Sequence, residues 1–168
     1  MKKVLALILA AMMLLGCTAM AEDVRVAMIT DYGDITDQSF NQTTYEAVKA
    51  WSEANGIDYK YYKPTDNSTA GRVSMVESAI DDGYTVLVMP GYAFGETVAE
   101  VQAEYPEVKM IALDVSEGDL GTTPLENVYC AVYQEELCGY MAGYAAVKLG
   151  YKHLGFLGGM AVPAVIRY

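Results

Sequence analysis

From residue 24 onward, unbroken apolar runs alternate with stretches in which apolar residues recur every third or fourth position. Residues 24–30 (VRVAMIT) are β-branched and apolar almost throughout, as a strand covered on both faces requires. Residues 39–55 (SFNQTTYEAVKAWSEAN) place Phe40, Thr44, Val48 and Trp51 at helical spacing. Asn55-Gly56 stops that helix, because glycine tolerates the left-handed conformation. The alternation then repeats. Strands are predicted at 57–62, 85–90, 108–114, 127–133 and 152–159, and helices at 69–83, 95–106 and 134–150.

Strands separated by helices imply right-handed crossovers, hence an α/β fold with a doubly wound parallel sheet. The run TVLVMP is as apolar as the first strand and suits the sheet centre. Residues 116–126 (SEGDLGTTPLE) form the one long polar connection and are expected to be a surface excursion. Residues 160–168 open a further helix that stops at Tyr168. A helix of about two turns does not stand alone, so the sequence is expected to be part of a longer one.

The N-terminus departs from this pattern. MKK precedes VLALILAAMMLLG, an uncharged stretch too short to span a bilayer comfortably, which marks residues 1–21 as an export signal. Two processing sites compete: LLGC, a lipobox that would make Cys17 a lipidated N-terminus, and AMA, which would allow cleavage after Ala21. The lipobox is preferred. The product is expected outside the cytoplasm, on the outer face of the membrane or released. Loss of Lys2 and Lys3, with no acid, takes the net charge from -11 to about -13.

Such a charge, with no basic stripe, excludes nucleic acid as a partner. Cys130 and Cys138 then remain, in a C-x7-C spacing that fits no zinc pattern, and His153 has no second histidine to join it. Two buried thiols are the preferred reading, although a disulfide is conceivable in an exported protein. No nucleophile elbow, dinucleotide fingerprint or phosphate loop is present, so the chain offers binding groups without a reaction centre and is read as no enzyme, with no cofactor and no metal.

In an open parallel sheet, ligands bind outside the carboxyl ends of the strands. Polar or glycine-rich turns follow four of them: TDYGD, MPGYAF, LDVSEG and GGM. They should converge on one rim. Ser39-x-x-Gln42 reads as a capping box, which puts Phe40 and Asn41 in the first helical turn. Phe40 offers a ring for stacking, and Asn41 a donor and an acceptor. Equally, Phe40 could be a core staple with Asn41 solvated. Asp31 and Asp114 each follow a buried strand and suit vicinal hydroxyls, although Asp is also an ordinary turn residue. Asp31, Asp34 and Asp37 lack the alternate spacing of a calcium loop, and Asp37 can instead favour the helix N-terminus by its charge.

Four segments, VAMITDYGDITDQSFNQTTYEAV, VLVMPGYAFGE, YQEELCGYMAGYAA and GFLGGMAVPAV, together resemble the basic membrane protein family. These are PnrA-like substrate-binding lipoproteins of ABC transporters, known for purine nucleoside uptake. The resemblance covers nearly the whole chain after the signal. It implies the type I periplasmic-binding-protein fold, in which two α/β lobes close on a ligand. Residues 22–159 would be the N-terminal lobe and 160–168 the start of the crossover to a second lobe that is largely missing.

By position, Asp31 and Asn41 would hydrogen-bond the ligand, Phe40 would stack on the base and Asp114 would hold ribose hydroxyls. The implied partners are a purine nucleoside, the permease and ATPase of the transporter, and a membrane reached through a lipid on Cys17. Family members are about twice as long, so this chain alone is expected to bind weakly or not at all. The competing readings are a binding protein for a sugar or other solute, a sensor without transport, and an exported metal-dependent nucleoside hydrolase.

Overall fold

The four residues VAMI bury every side chain, because this strand is flanked on both sides and covered on both faces. They form β1 (Val26–Ile29) in a computed structural model that describes residues 24–168. The export signal, with Cys17 and the cleavage site after Ala21, lies outside the described residues. After β1 come α1 (Phe40–Asn55), β2 (Tyr59–Tyr62), α2 (Thr69–Asp81), β3 (Val86–Pro90), α3 (Phe94–Val101) and β4 (Lys109–Leu113). They are followed by α4 (Glu117–Leu120), β5 (Val128–Ala131), α5 (Glu135–Lys148) and α6 (Pro163–Arg167).

The five strands are all parallel, in the order β2-β1-β3-β4-β5. Alternate residues face opposite ways, and so the sheet carries two cores. On one face Ala27, Ile29, Leu87, Met89, Met110 and Ala112 pack against α2, α3 and α4. On the other Val26, Met28 and Val88 meet Val48 of α1. The chain leaves β1 toward β2 and then crosses back to β3. The β1–β3 boundary is therefore the point where strand order reverses, and a crevice opens at its carboxyl end.

Gly56 takes the left-handed conformation that ends α1, as its position after Asn55 predicts. Four expectations are corrected. The two thiols are not both buried: Cys138 is exposed, because the helix that carries it buries no residue, and Cys130 is only partly covered. Residues 152–159 form no strand: their side chains are exposed and nothing among the described residues pairs with the outer edge of β5. An apolar run becomes a strand only where an edge receives it. The loop 116–126 is not a plain surface excursion either. It begins with α4, where Ser116 and Asp119 form a reciprocal capping box and Leu120 is buried. Farther along it, Asn127 Nδ2 reaches the carbonyls of Gln102 (3.0 Å), Tyr105 (3.0 Å) and Val108 (3.2 Å), which ties the start of β5 to the turn before β4. Lastly, Ser39 makes no side-chain cap, for a reason that belongs to the rim.

Candidate functional site: the rim at the carboxyl ends of the strands

The loop after β1 is organised by two carboxylates. Asp31 Oδ1 accepts from the backbone N–H of Tyr32 (2.6 Å) and Gly33 (2.8 Å) and from Asn41 Nδ2 (3.0 Å). Asp37 Oδ1 accepts from the N–H of Ser39 (2.8 Å) and Gln42 (3.1 Å), while its Oδ2 takes Asn41 Nδ2 (3.0 Å). Asp37 thus does the capping that the Ser39 hydroxyl was expected to do, since an ionised oxygen is the stronger acceptor for free helical N–H groups. Gln42 does bend back, to the N–H of Gln38. Partial desolvation works against the Asp37 charge, but the bonds from the Asn41 side chain and from the Gln42, Ser39 and Asn41 N–H groups outweigh it, and its carboxyl sits below the usual range.

Asp34 has a third task, an ion pair with Lys63 at 3.0 Å. Of three aspartates at regular spacing, Asp31 and Asp37 therefore share Asn41, and Asp34 is turned away to Lys63. Gly33 is required by proximity: a Cβ there would collide with Asn41 Nδ2.

The predicted turns do meet. A Cβ on Gly91, after β3, would lie 3.5 Å from the Asp31 Cβ, and the Gly91 N–H bonds Leu113 at the end of β4. Tyr92 reaches Met160 Sδ at 4.0 Å, which brings the GGM turn across to β3. Asp114, after β4, has φ +61°, a left-handed backbone uncommon for a residue with a side chain. Its Oδ1 is 3.8 Å from an Arg167 nitrogen, close enough for charge but too far for a hydrogen bond. Burial, then the nearby Glu135 charge and more weakly Asp119, push the Asp114 carboxyl up despite Arg167. Arg167 is held by Glu135 through two bonds, at 3.0 and 3.3 Å.

Phe40 is half-buried and belongs to neither core cluster, so the staple reading does not hold. Its ring lies 6.1 Å from that of Tyr133 in an edge-to-face arrangement at 77°. The sequence reading passed over Tyr133. Burial raises its hydroxyl pKa, and the charges of Asp114 and Glu135 raise it further, which places it between the aromatic ledge and those acids. Its place at the carboxyl end of the predicted strand 127–133 was the available signal.

Asn41, far from solvated, is 5% exposed. Four buried side-chain oxygens have no partner within the described residues, and three of them are Thr30 Oγ1, Asn41 Oδ1 and Asp114 Oδ1, all at the carboxyl ends of β1 and β4 or on the helix facing them. Buried polar atoms are normally paired, so these three oxygens, with Asn41 next to Phe40 and the Asp114 charge felt by Tyr133, leave hydrogen-bonding capacity suited to a ligand that carries N–H and O–H groups.

Known proteins agree with this architecture. The family model for PnrA-like ABC transporter substrate-binding proteins matches residues 24–168. The ABC transporter nucleoside-binding protein BmpA of Lactococcus lactis is 27% identical over 151 residues, covering 87% of this chain and 41% of that protein. An uncharacterised lipoprotein of Pyrococcus abyssi is 24% identical over 148 residues, covering 88% and 36% respectively. A solved ABC transporter solute-binding protein from Aeropyrum pernix superposes with a TM-score of 0.66 at 25% identity, over 86% of this chain and 40% of that one. The chain spans about two fifths of the length of these relatives.

Proposed function

Since the chain belongs to the family of PnrA-like ABC transporter substrate-binding proteins, we propose that it is the ligand-holding lobe of an extracytoplasmic receptor for purine nucleosides. The observation that carries this reading is the set of unpartnered oxygens on Thr30, Asn41 and Asp114 at the rim that also holds the Phe40–Tyr133 pair. The base would stack on Phe40 while Asp31 and Asn41 hydrogen-bond its edge. Asp114 would take the ribose hydroxyls, and for that role its charge, kept at a cost by burial, is the useful form. The nucleoside-binding name of the Lactococcus lactis relative supports the same ligand class.

Delivery would be to the permease and ATPase of a transporter, from a position tethered by lipid at Cys17 or released after Ala21. The role is holding and release, not turnover. Titration of ¹⁵N-labelled chain with adenosine, guanosine and inosine at millimolar concentration tests it. Shifts are expected at residues 31–41, 114 and 133, with free ribose a weaker ligand. Ribose that matches the nucleosides, or shifts confined to other faces, would refute the reading.

A further inference from the structure

Asn41 sits between two carboxylates, and that settles which way its amide points. Its Nδ2 donates to Asp31 Oδ1 and to Asp37 Oδ2, both at 3.0 Å. A primary amide has two hydrogens, and both are used. The reversed orientation would set the amide oxygen against two carboxylate oxygens, an arrangement of acceptors with nothing to share. Neither carboxylate is free to turn away. Asp31 is pinned by the Tyr32 and Gly33 N–H groups and Asp37 by those of Ser39 and Gln42. What Asn41 has left is Oδ1, buried and without a partner.

We propose that Asp37 is a positioning residue that fixes the hydrogen-bond polarity of the site: Asn41 meets the ligand as an acceptor only, so the base edge it reads must carry an N–H donor. This rests on the nucleoside reading above and narrows it. The sequence left Asn41 as donor and acceptor alike; the two carboxylates remove the first role. Asp31 adds its second oxygen, which makes no hydrogen bond within the described residues, so the free groups of the loop beside Asn41 are acceptors. A 6-amino group, or the adjacent ring N–H and 2-amino group of guanine, matches them. Purine riboside, which lacks every base donor yet keeps the ring shape and the ribose, does not.

The test compares purine riboside with adenosine and guanosine on the full chain, by NMR titration, in the native form and in Asp37→Asn. Purine riboside is expected to bind about tenfold more weakly than the better of the other two, the usual worth of one good hydrogen bond. In Asp37→Asn the new amide can donate to Asn41, so Asn41 is free to reverse and the discrimination should collapse toward equality. A helix cap with no part in polarity would change stability but leave that ratio alone.

Equal affinity for purine riboside in the native chain overturns the proposal. So does a tenfold preference that survives Asp37→Asn. If no nucleoside binds, the nucleoside reading fails separately, and the Asn41 side-chain protons decide the remainder. Slow solvent exchange, lost in Asp37→Asn, upholds the polarity lock, and fast exchange in the native chain refutes it.

Discussion

Two helices of similar apolar character meet different fates. In α3, the side chains of Phe94, Thr97, Val98 and Val101 are all buried, against the sheet and α2. In α5, Leu137, Tyr140, Met141, Tyr144 and Val147 recur at helical spacing, yet no residue of the helix is buried. The contrast extends to whole regions: the last buried residue in the described chain is Asn127, and everything from β5 onward is at most half-buried. The apolar residues of α3 lie on one face, whereas those of α5 lie all round it and meet no facing surface. The rim lies at the seam between the two regions, with Asp31, Asn41 and Asp114 on the packed side and Tyr133, Glu135 and Arg167 on the other.

The widest separation should come from matched truncations. Phe94→Ala removes a fully buried ring and is expected to cost about 3–5 kcal/mol in denaturant unfolding, whereas Tyr140→Ala should stay within about 0.5 kcal/mol. Comparable losses would mean that α5 is packed in solution after all. Next is Gly33→Ala, whose methyl must displace Asn41. About 1–3 kcal/mol should be lost, and nucleoside shifts at the rim should vanish with it.

Asp114→Asn should act in the opposite sense. The folded pKa of Asp114 is raised, so the folded state binds its proton more readily than the unfolded state and the charge costs stability at neutral pH. The asparagine variant is expected to melt slightly higher at pH 7, with the advantage fading as the pH falls and the native carboxyl protonates, while ligand binding is lost. A lower melting temperature at pH 7 would contradict the assignment. Smallest is Arg167→Ala. Its ion pairs with Asp114 and Glu135 should change stability least, but the NMR-measured pKa of Asp114 should rise further once the cation is gone.

The packed region was largely legible in the sequence, and for a physical reason. β1 and β3 are covered on both faces, so continuous apolar runs declare them, and the alternation of strands with helices dictates parallel pairing. The site was legible in part. Asp31, Phe40 and Asn41 follow from their place after the first strand, but their donor and acceptor roles do not. Local patterns are degenerate. Ser39-x-x-Gln42 has the letters of a capping box, yet Asp37, two residues earlier, is the better acceptor and takes the N–H groups. The box that does form, at Ser116 and Asp119, lay in a stretch whose polarity suggested a plain loop. Residues 152–159 were read as a strand from composition alone. Strand identity is decided by an edge elsewhere in the chain, which no local window contains.

The reversal of strand order also sets a sequence of events. Val26 pairs with Val86, and the adjoining contact of Arg25 with Thr85 spans 60 residues. A chain that appears from its N-terminus therefore holds Asp31, Asn41 and Asp37 long before it holds the crevice they border. The loop can cap its helix early, by contacts wholly its own, but Asp31 gains its neighbour Gly91 only when β3 arrives, and Asp114 later still. The groups that border the crevice are thus brought together in stages, first within the loop itself, then with Gly91, and last with Asp114.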